Sequence, residues 1–204
     1  MRGKLSIDYY KFYPLFTMFV GLISFLIVGT VAGLISLEIN EGMILLLGLP
    51  IGSLLMLFIL SKLDRDKILA VIIRSLLGGF AGFLSGFIIG ELLVEVIGFI
   101  IPSLKNLEQV KAQIVPNIVA LSIADAIYGI FIGHLLYGRK SIKFFALICA
   151  IASIPFGILV SMSIDVDWID FEQNLLFMLV SFGTTTGLAI GFYSLLKRVK
   201  ANKG

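Results

Sequence analysis

Charge is scarce in this 204-residue chain. Only 14% of its residues are Asp, Glu, Lys or Arg, against roughly a quarter in an average soluble domain. So few charges could not keep an ordinary globular surface solvated. With 59% hydrophobic residues and a mean hydropathy of +1.07, the chain is also the compositional opposite of a disordered one. Cysteine occurs once, as Cys149, so neither an intramolecular disulfide nor a multi-cysteine metal site can form. Histidine also occurs once, as His134, with no HxxxH or HxxE spacing around it. That leaves no ligand set for a metal, and no cofactor is implied. No N-x-[ST] sequon is present.

What the chain does have is long apolar runs. Residues 14–37 and 43–60 carry no charge, 68–90 carry only Arg74, and 114–137 carry Asp125 and His134. Residues 144–163 and 175–196 carry none. Crossing a hydrocarbon core about 30 Å thick takes roughly 20 apolar residues as a helix. The expected fold is therefore all-α: a polytopic membrane protein of six transmembrane helices, forming one domain over residues 1–204. Membrane β-strands would alternate apolar and polar residues, whereas these runs are continuously apolar. The first run follows Arg2, Lys4 and Lys11 as a signal peptide would. It is about twice as long as a signal-peptide core and lacks a small-residue cleavage site, so it reads as a retained helix.

The formal net charge of +3 conceals a division. On one side of the six runs lie fourteen basic and three acidic side chains, about +11; on the other lie two basic and nine acidic ones, about −7. Lys and Arg in short loops mark the cytoplasmic side, so both termini are expected in the cytoplasm of a cell-membrane protein. The basic face then reflects topology and attraction to lipid, not nucleic-acid binding. Two outer segments are longer than the rest. In 91–113, Glu91 and Glu95 stand one helical turn apart, so either the third helix continues beyond the membrane or an interfacial helix begins there. Residues 164–174 form an acidic loop around the sole tryptophan, Trp168, which belongs either to a ligand contact or to an aromatic belt.

Glycine spacing carries the packing signal. Gly78, Gly82, Gly86 and Gly90 recur every fourth residue, a small-residue stripe along the third run that allows a neighbouring backbone to approach closely. Gly48/Gly52, Gly129/Gly133 and Gly187/Gly191 each form GxxxG in the three runs that descend to the basic side. Basic exits follow each pair, a pattern that three repeated helical hairpins would generate.

Few residues carry candidate chemistry. Asp125 lies mid-span, where an acid costs at least about 2.5 kcal/mol, so it should face a partner or a wet cavity. It is read either as an ion, proton or substrate site or as a hydrogen-bonded structural acid. His134, nine residues on, falls about 180° away around the helix and reads as a hydrogen-bonded interfacial histidine. Arg74 is expected either to snorkel to the basic side, the favoured reading, or to pair with an inward group. No nucleophile, acid and base converge, so an enzyme is not expected. Gly133 to Ser141 has one residue too many before Lys140 for a phosphate-binding loop, and it ends a membrane helix instead of following a strand.

Two segments carry a resemblance. Gly79-Phe-Ala-Gly82-Phe-Leu-Ser-Gly86-Phe-Ile-Ile-Gly90-Glu91, and Ala126-Ile-Tyr-Gly129-Ile-Phe-Ile-Gly133 running on to Arg139-Lys140, resemble the third and fourth helices of the substrate-binding (S) components of energy-coupling factor transporters. The resemblance covers about 60 residues. The fourth-helix motif of that family often holds a proline where this chain has Phe131-Ile132. The resemblance implies a membrane subunit that captures a vitamin or similar micronutrient on the outer side and is energised by a separate coupling subunit and ATPases. Asn117, Asp125, Tyr128, Trp168 and Glu91 would then be the ligand-binding candidates. The alternative is a non-catalytic structural or assembly subunit of a larger membrane complex, with another membrane protein as partner.

Overall fold

The computed structural model describes residues 13–36, 43–100, 109–163 and 171–201, which are almost wholly helical and contain no strand. We label the helices α1 (Tyr13–Ser36), α2 (Met43–Ile59), α3 (Ile68–Ile100), α4 (Gln109–Tyr137), α5 (Ile142–Ala152), α6 (Ile154–Ser163) and α7 (Phe171–Ala201). Single 3₁₀ turns, Arg65–Lys67 and Arg139–Ser141, lead into α3 and α5. Among the described residues, five stretches are long and apolar enough to cross a membrane: Tyr13–Ala32, Arg65–Ile100, Ile114–Tyr137, Arg139–Met162 and Leu175–Ala201. The apolar part of α2, Leu46–Ile59, is shorter.

The outer surface is as apolar as the sequence requires. Phe19, Phe58, Leu69, Leu84 and Phe99 each keep more than half of their surface uncovered. Water-soluble monomers rarely expose contiguous apolar area beyond a few hundred Å². A lipid-facing belt accounts for these side chains, and the polar groups are found inside.

Two helices depart from the lengths that hydropathy suggests. α3 runs unbroken for 33 residues, about 50 Å at 1.5 Å per residue. Of the two expectations for 91–113, helix continuation therefore holds as far as Ile100. The fifth apolar run is not one helix. It breaks at Ser153, between α5 and α6. Pro155 has no N–H to offer the carbonyl four residues back, and its ring crowds that carbonyl. The Ser153 hydroxyl occupies the break, lying 2.8 Å from the Ala150 carbonyl and 3.0 Å from Ser122 Oγ of α4.

The helices pair antiparallel through small residues. Along α1 and α7, Gly21 meets Gly183, Thr17 meets Gly187, and Pro14 lies against Gly191. Along α3 and α4, Gly78 seats Phe131, Gly82 lies on the Ala124 carbonyl and Gly86 on the Ala120 carbonyl. A Cβ added at Gly82 would sit 2.6 Å from the Ala124 oxygen, a distance real carbon atoms do not tolerate. Only glycine permits this approach. α5 and α6 run back along α4, with Phe145 against Gly133, Cys149 against Gly129, and Ile118 against Gly157. α7 lies at the centre, touching α1, α2, α4, α5 and α6. The antiparallel pairing brings the start of α3, the α4–α5 turn and the end of α7 to one end of the bundle. Arg65, Lys67, Arg139, Lys140, Lys143, Lys197 and Lys200 gather there, and Glu91 and Glu95 lie at the other end of α3.

Candidate functional site

Asp125 of α4 is the one charged-type side chain among the fully buried polar residues described. An ionisable group in such a place requires compensating partners. α7 supplies them. The Ser181 hydroxyl donates to Asp125 Oδ2 at 2.5 Å, and the Thr185 side chain adjoins the same carboxyl. Asp125 Oδ1 has no hydrogen-bond partner among the described residues, and neither have Ser24 Oγ of α1 and Thr186 Oγ1 of α7. Ser181, Thr184, Thr185 and Thr186 place four hydroxyls within six residues of an apolar helix. α7 accommodates them by turning hydroxyls back on its own carbonyls: Thr184 bonds to Val180 O at 2.7 Å and Thr185 to Ser181 O at 2.9 Å.

One turn along α4 from Asp125, Tyr128 is equally buried. Its hydroxyl lies 2.5 Å from Ser53 Oγ of α2, and Ser53 spends its single proton on Leu49 O at 2.6 Å. The tyrosine is therefore the donor in the first of these bonds. Its ring stacks on Phe182, with centroids 4.7 Å apart, and meets Phe25 edge-on at 6.3 Å. α1, α2, α4 and α7 thus converge on one side chain. Tyr128 is part of a packed core and lines no cavity among those described.

A cavity opens farther from the basic end. It holds about 440 Å³ between α3, α4, α6 and α7, within the 300–1,000 Å³ range typical of small-molecule sites. Glu91 and Asn117 are its polar groups, Phe83, Phe87 and Met178 form apolar walls, and Ala124 lines it next to Asp125 in the chain. Gly86 and Gly90 leave room on the α3 side. Asn117 is held in place by donating from Nδ2 to Ser161 Oγ at 3.2 Å, and Ser161 in turn donates to Gly157 O at 2.8 Å. Glu91 is exposed at the rim. A mostly apolar concavity with one amide and one carboxylate can orient a small solute.

The five ligand-binding candidates therefore separate. Glu91 and Asn117 share the cavity, Asp125 is not among its lining residues and bonds to α7 instead, Tyr128 is in the core, and Trp168 lies outside the described residues. The sequence reading missed Ser181 and Thr185 as partners of Asp125 and Ser53 as partner of Tyr128. The hydroxyl run at 181–186 was the available signal. The glycines at 78, 82, 86 and 90 all face α4, so this stripe is filled from within the chain. The other pairs meet unlike neighbours: Leu179 and Phe25 for Gly48 and Gly52, Cys149 and Phe145 for Gly129 and Gly133, and Thr17 and Pro14 for Gly187 and Gly191. Of the two readings of Arg74, the structure shows the pairing one: its Nη1 donates to His134 Nδ1 of α4 at 2.5 Å. His134 is the hydrogen-bonded residue expected, and it and Asp125 face different helices.

No family model matches the chain, and neither a curated protein nor a solved structure does.

Proposed function

We propose that this protein is a solute-binding subunit of a membrane transport system. It takes a vitamin-like or other micronutrient from the outer, acidic side and depends on separate subunits for energy, as the S components of energy-coupling factor transporters do. The observation that carries this reading is the cavity of about 440 Å³ with Asn117 and Glu91 on its walls, lined also by Ala124, the chain neighbour of Asp125. In the same reading the chain crosses the cell membrane six times, with α5 and α6 as one bent crossing and both termini in the cytoplasm. The glycine pattern of three hairpins remains part of it. Glu91 on the cavity wall and Glu95 one turn farther along α3 favour a solute with a cationic group. The rival reading, a structural or assembly subunit, loses one support because α4 already covers the long glycine stripe of α3.

The test is a thermal-shift and calorimetric screen of micronutrients on detergent-purified protein, repeated with Asn117→Ala and Glu91→Gln. A hit weakened by both variants, with folding intact, supports the reading. Failure of every compound, together with no coupling subunit in a gentle pull-down, rejects it.

A further inference from the structure

A second concavity lies at the basic end, independent of the solute cavity. It encloses about 510 Å³ between α3, α4 and the turn into α5. Its polar groups are Arg74, His134 and Arg139, and Leu77, Phe131 and Ile142 are among its apolar walls. Arg74 stands seven residues beyond Lys67, roughly 10 Å into α3 at 1.5 Å per residue. Arg139 lies at the exposed rim.

The contact between Arg74 and His134 defines what this concavity can accept. A guanidinium has only donors, so His134 Nδ1 accepts and the ring proton is on Nε2. This bond consumes one of five N–H groups and tethers the guanidinium to α4, but a neutral imidazole cancels none of its charge. Among the described residues no carboxylate pairs with Arg74, and none lines the concavity. Two cations at graded depth therefore top an apolar recess that faces the membrane. An ordinary snorkelling arginine is free to find any water or headgroup; this one is tethered at the concavity with four donors left over. A planar guanidinium with four free donors suits the oxygens of a phosphate. The apolar walls below suit an acyl chain.

We propose that this groove is a binding site for an anionic phospholipid, with its phosphate between Arg74 and Arg139 and its proximal acyl segment against Leu77, Phe131 and Ile142. Basic pockets between membrane helices on the positive side have the chemistry to hold such headgroups. A zwitterionic lipid would bring its own cation to two arginines. A free phosphate would leave the apolar walls uncovered.

The experiment measures thermal stability and lipid retention by native mass spectrometry on the full chain in neutral detergent. Phosphatidylglycerol, phosphatidylcholine and inorganic phosphate are titrated separately. The expected result is a saturable stabilisation by phosphatidylglycerol alone, with a discrete lipid adduct. Arg74→Gln and Arg139→Gln should each weaken that effect about tenfold, the scale of one lost charge-assisted hydrogen bond. Arg65→Gln, which removes an equal charge from the same end outside the groove, should leave it unchanged. Leu77→Trp fills the recess without altering charge and should also weaken retention. If Arg74→Gln does not fold, Arg139→Gln and Leu77→Trp decide the matter. Equal losses for Arg65→Gln and Arg139→Gln would reduce the effect to general surface charge and overturn the site. Equal stabilisation by inorganic phosphate, or by phosphatidylcholine, would overturn the lipid assignment.

Discussion

α3 and α7 are both long, both apolar and both rich in glycine, yet they occupy opposite environments. In α7, 72% of the most apolar window is buried, against 11% in α3. α3 meets its neighbours along a narrow glycine stripe and presents Leu69, Leu77, Leu84 and Ile88 outward. α7 is surrounded, and it is also the helix with the most hydroxyls: Ser181, Thr184, Thr185 and Thr186 are all buried. In water a central helix is the most apolar one. Here lipid is as apolar as any core, so no hydrophobic force sorts leucine inward. What must be sorted inward is polarity, because an unpaired polar group facing hydrocarbon costs several kcal/mol. Mean hydropathy accordingly identified both helices as membrane-spanning and said nothing about which was central. The polar content of α7 held that information.

The comparison can be broken by one substitution made on both helices. Leu179 of α7 is fully buried and fits over Gly29 and Gly48. Leu179→Ala should be the most damaging change in this series, about 2–5 kcal/mol, because the cavity it leaves is lined by helices that cannot close on it. Reversible unfolding in mixed micelles measures it. A loss below about 1 kcal/mol would mean that α7 is not the packing centre.

Next in size is Gly82→Ala on α3. The added methyl would press on the Ala124 carbonyl, 2.6 Å away, and the backbone cannot yield as a side chain would. A cost of about 1–3 kcal/mol is expected, with the same assay as readout. Gly90→Ala should cost less, because its nearest obstacle is the Ala120 methyl at 3.1 Å. Equal penalties at the two positions would mean that the stripe is not a graded contact.

Much of this was legible in the sequence, and the gaps have physical causes. The six apolar runs and the division of charge follow from composition along the chain. The true ends of α3 do not, because hydropathy reports membrane depth whereas a helix continues as long as its backbone bonds do. Pro155 is the sequence signal for the break at Ser153, but it lies inside a run whose apolar character is uninterrupted. Asp125 was legible as an anomaly, but its partner was not: Ser181 is 56 residues away, and only the pairing of α4 with α7 brings them together. The same holds for Arg74 and His134, whose 60-residue separation hides a contact between facing helices. The candidate site was legible as a list of polar residues. Which of them share a cavity depended on helix rotation, which a glycine pattern constrains and does not fix.

Asp125 sharpens the comparison from the polar side. Asp125→Asn keeps an acceptor for Ser181 and nearly the same volume, so stability should change by less than about 1 kcal/mol, the usual scale of one hydrogen bond within a membrane bundle. Asp125→Leu strands the Ser181 hydroxyl and should cost about 1–3 kcal/mol. If Asn is as harmful as Leu to folding, the carboxyl group itself holds α4 to α7. If Asn folds normally and abolishes binding of a confirmed solute, the acid serves the cavity beside it.

The smallest effect should come from the counterpart of the first substitution. Leu84 lies on α3 near the middle of the glycine stripe, but on the opposite face, and it is 55% exposed. In Leu84→Ala the space vacated is filled by lipid chains, which supply the dispersion contacts that the leucine had made with them. Neither a cavity nor an unpaired group results, and alanine is the better helix former. Stability should stay within about 0.5 kcal/mol of the parent. Leu179→Ala and Leu84→Ala delete identical atoms from helices of similar length, so the difference between them isolates what surrounds each leucine. A loss at Leu84 above about 1.5 kcal/mol, in protein shown to be monomeric, would mean that protein and not lipid covers that face of α3. A loss that vanishes on dilution would identify that cover as a second chain.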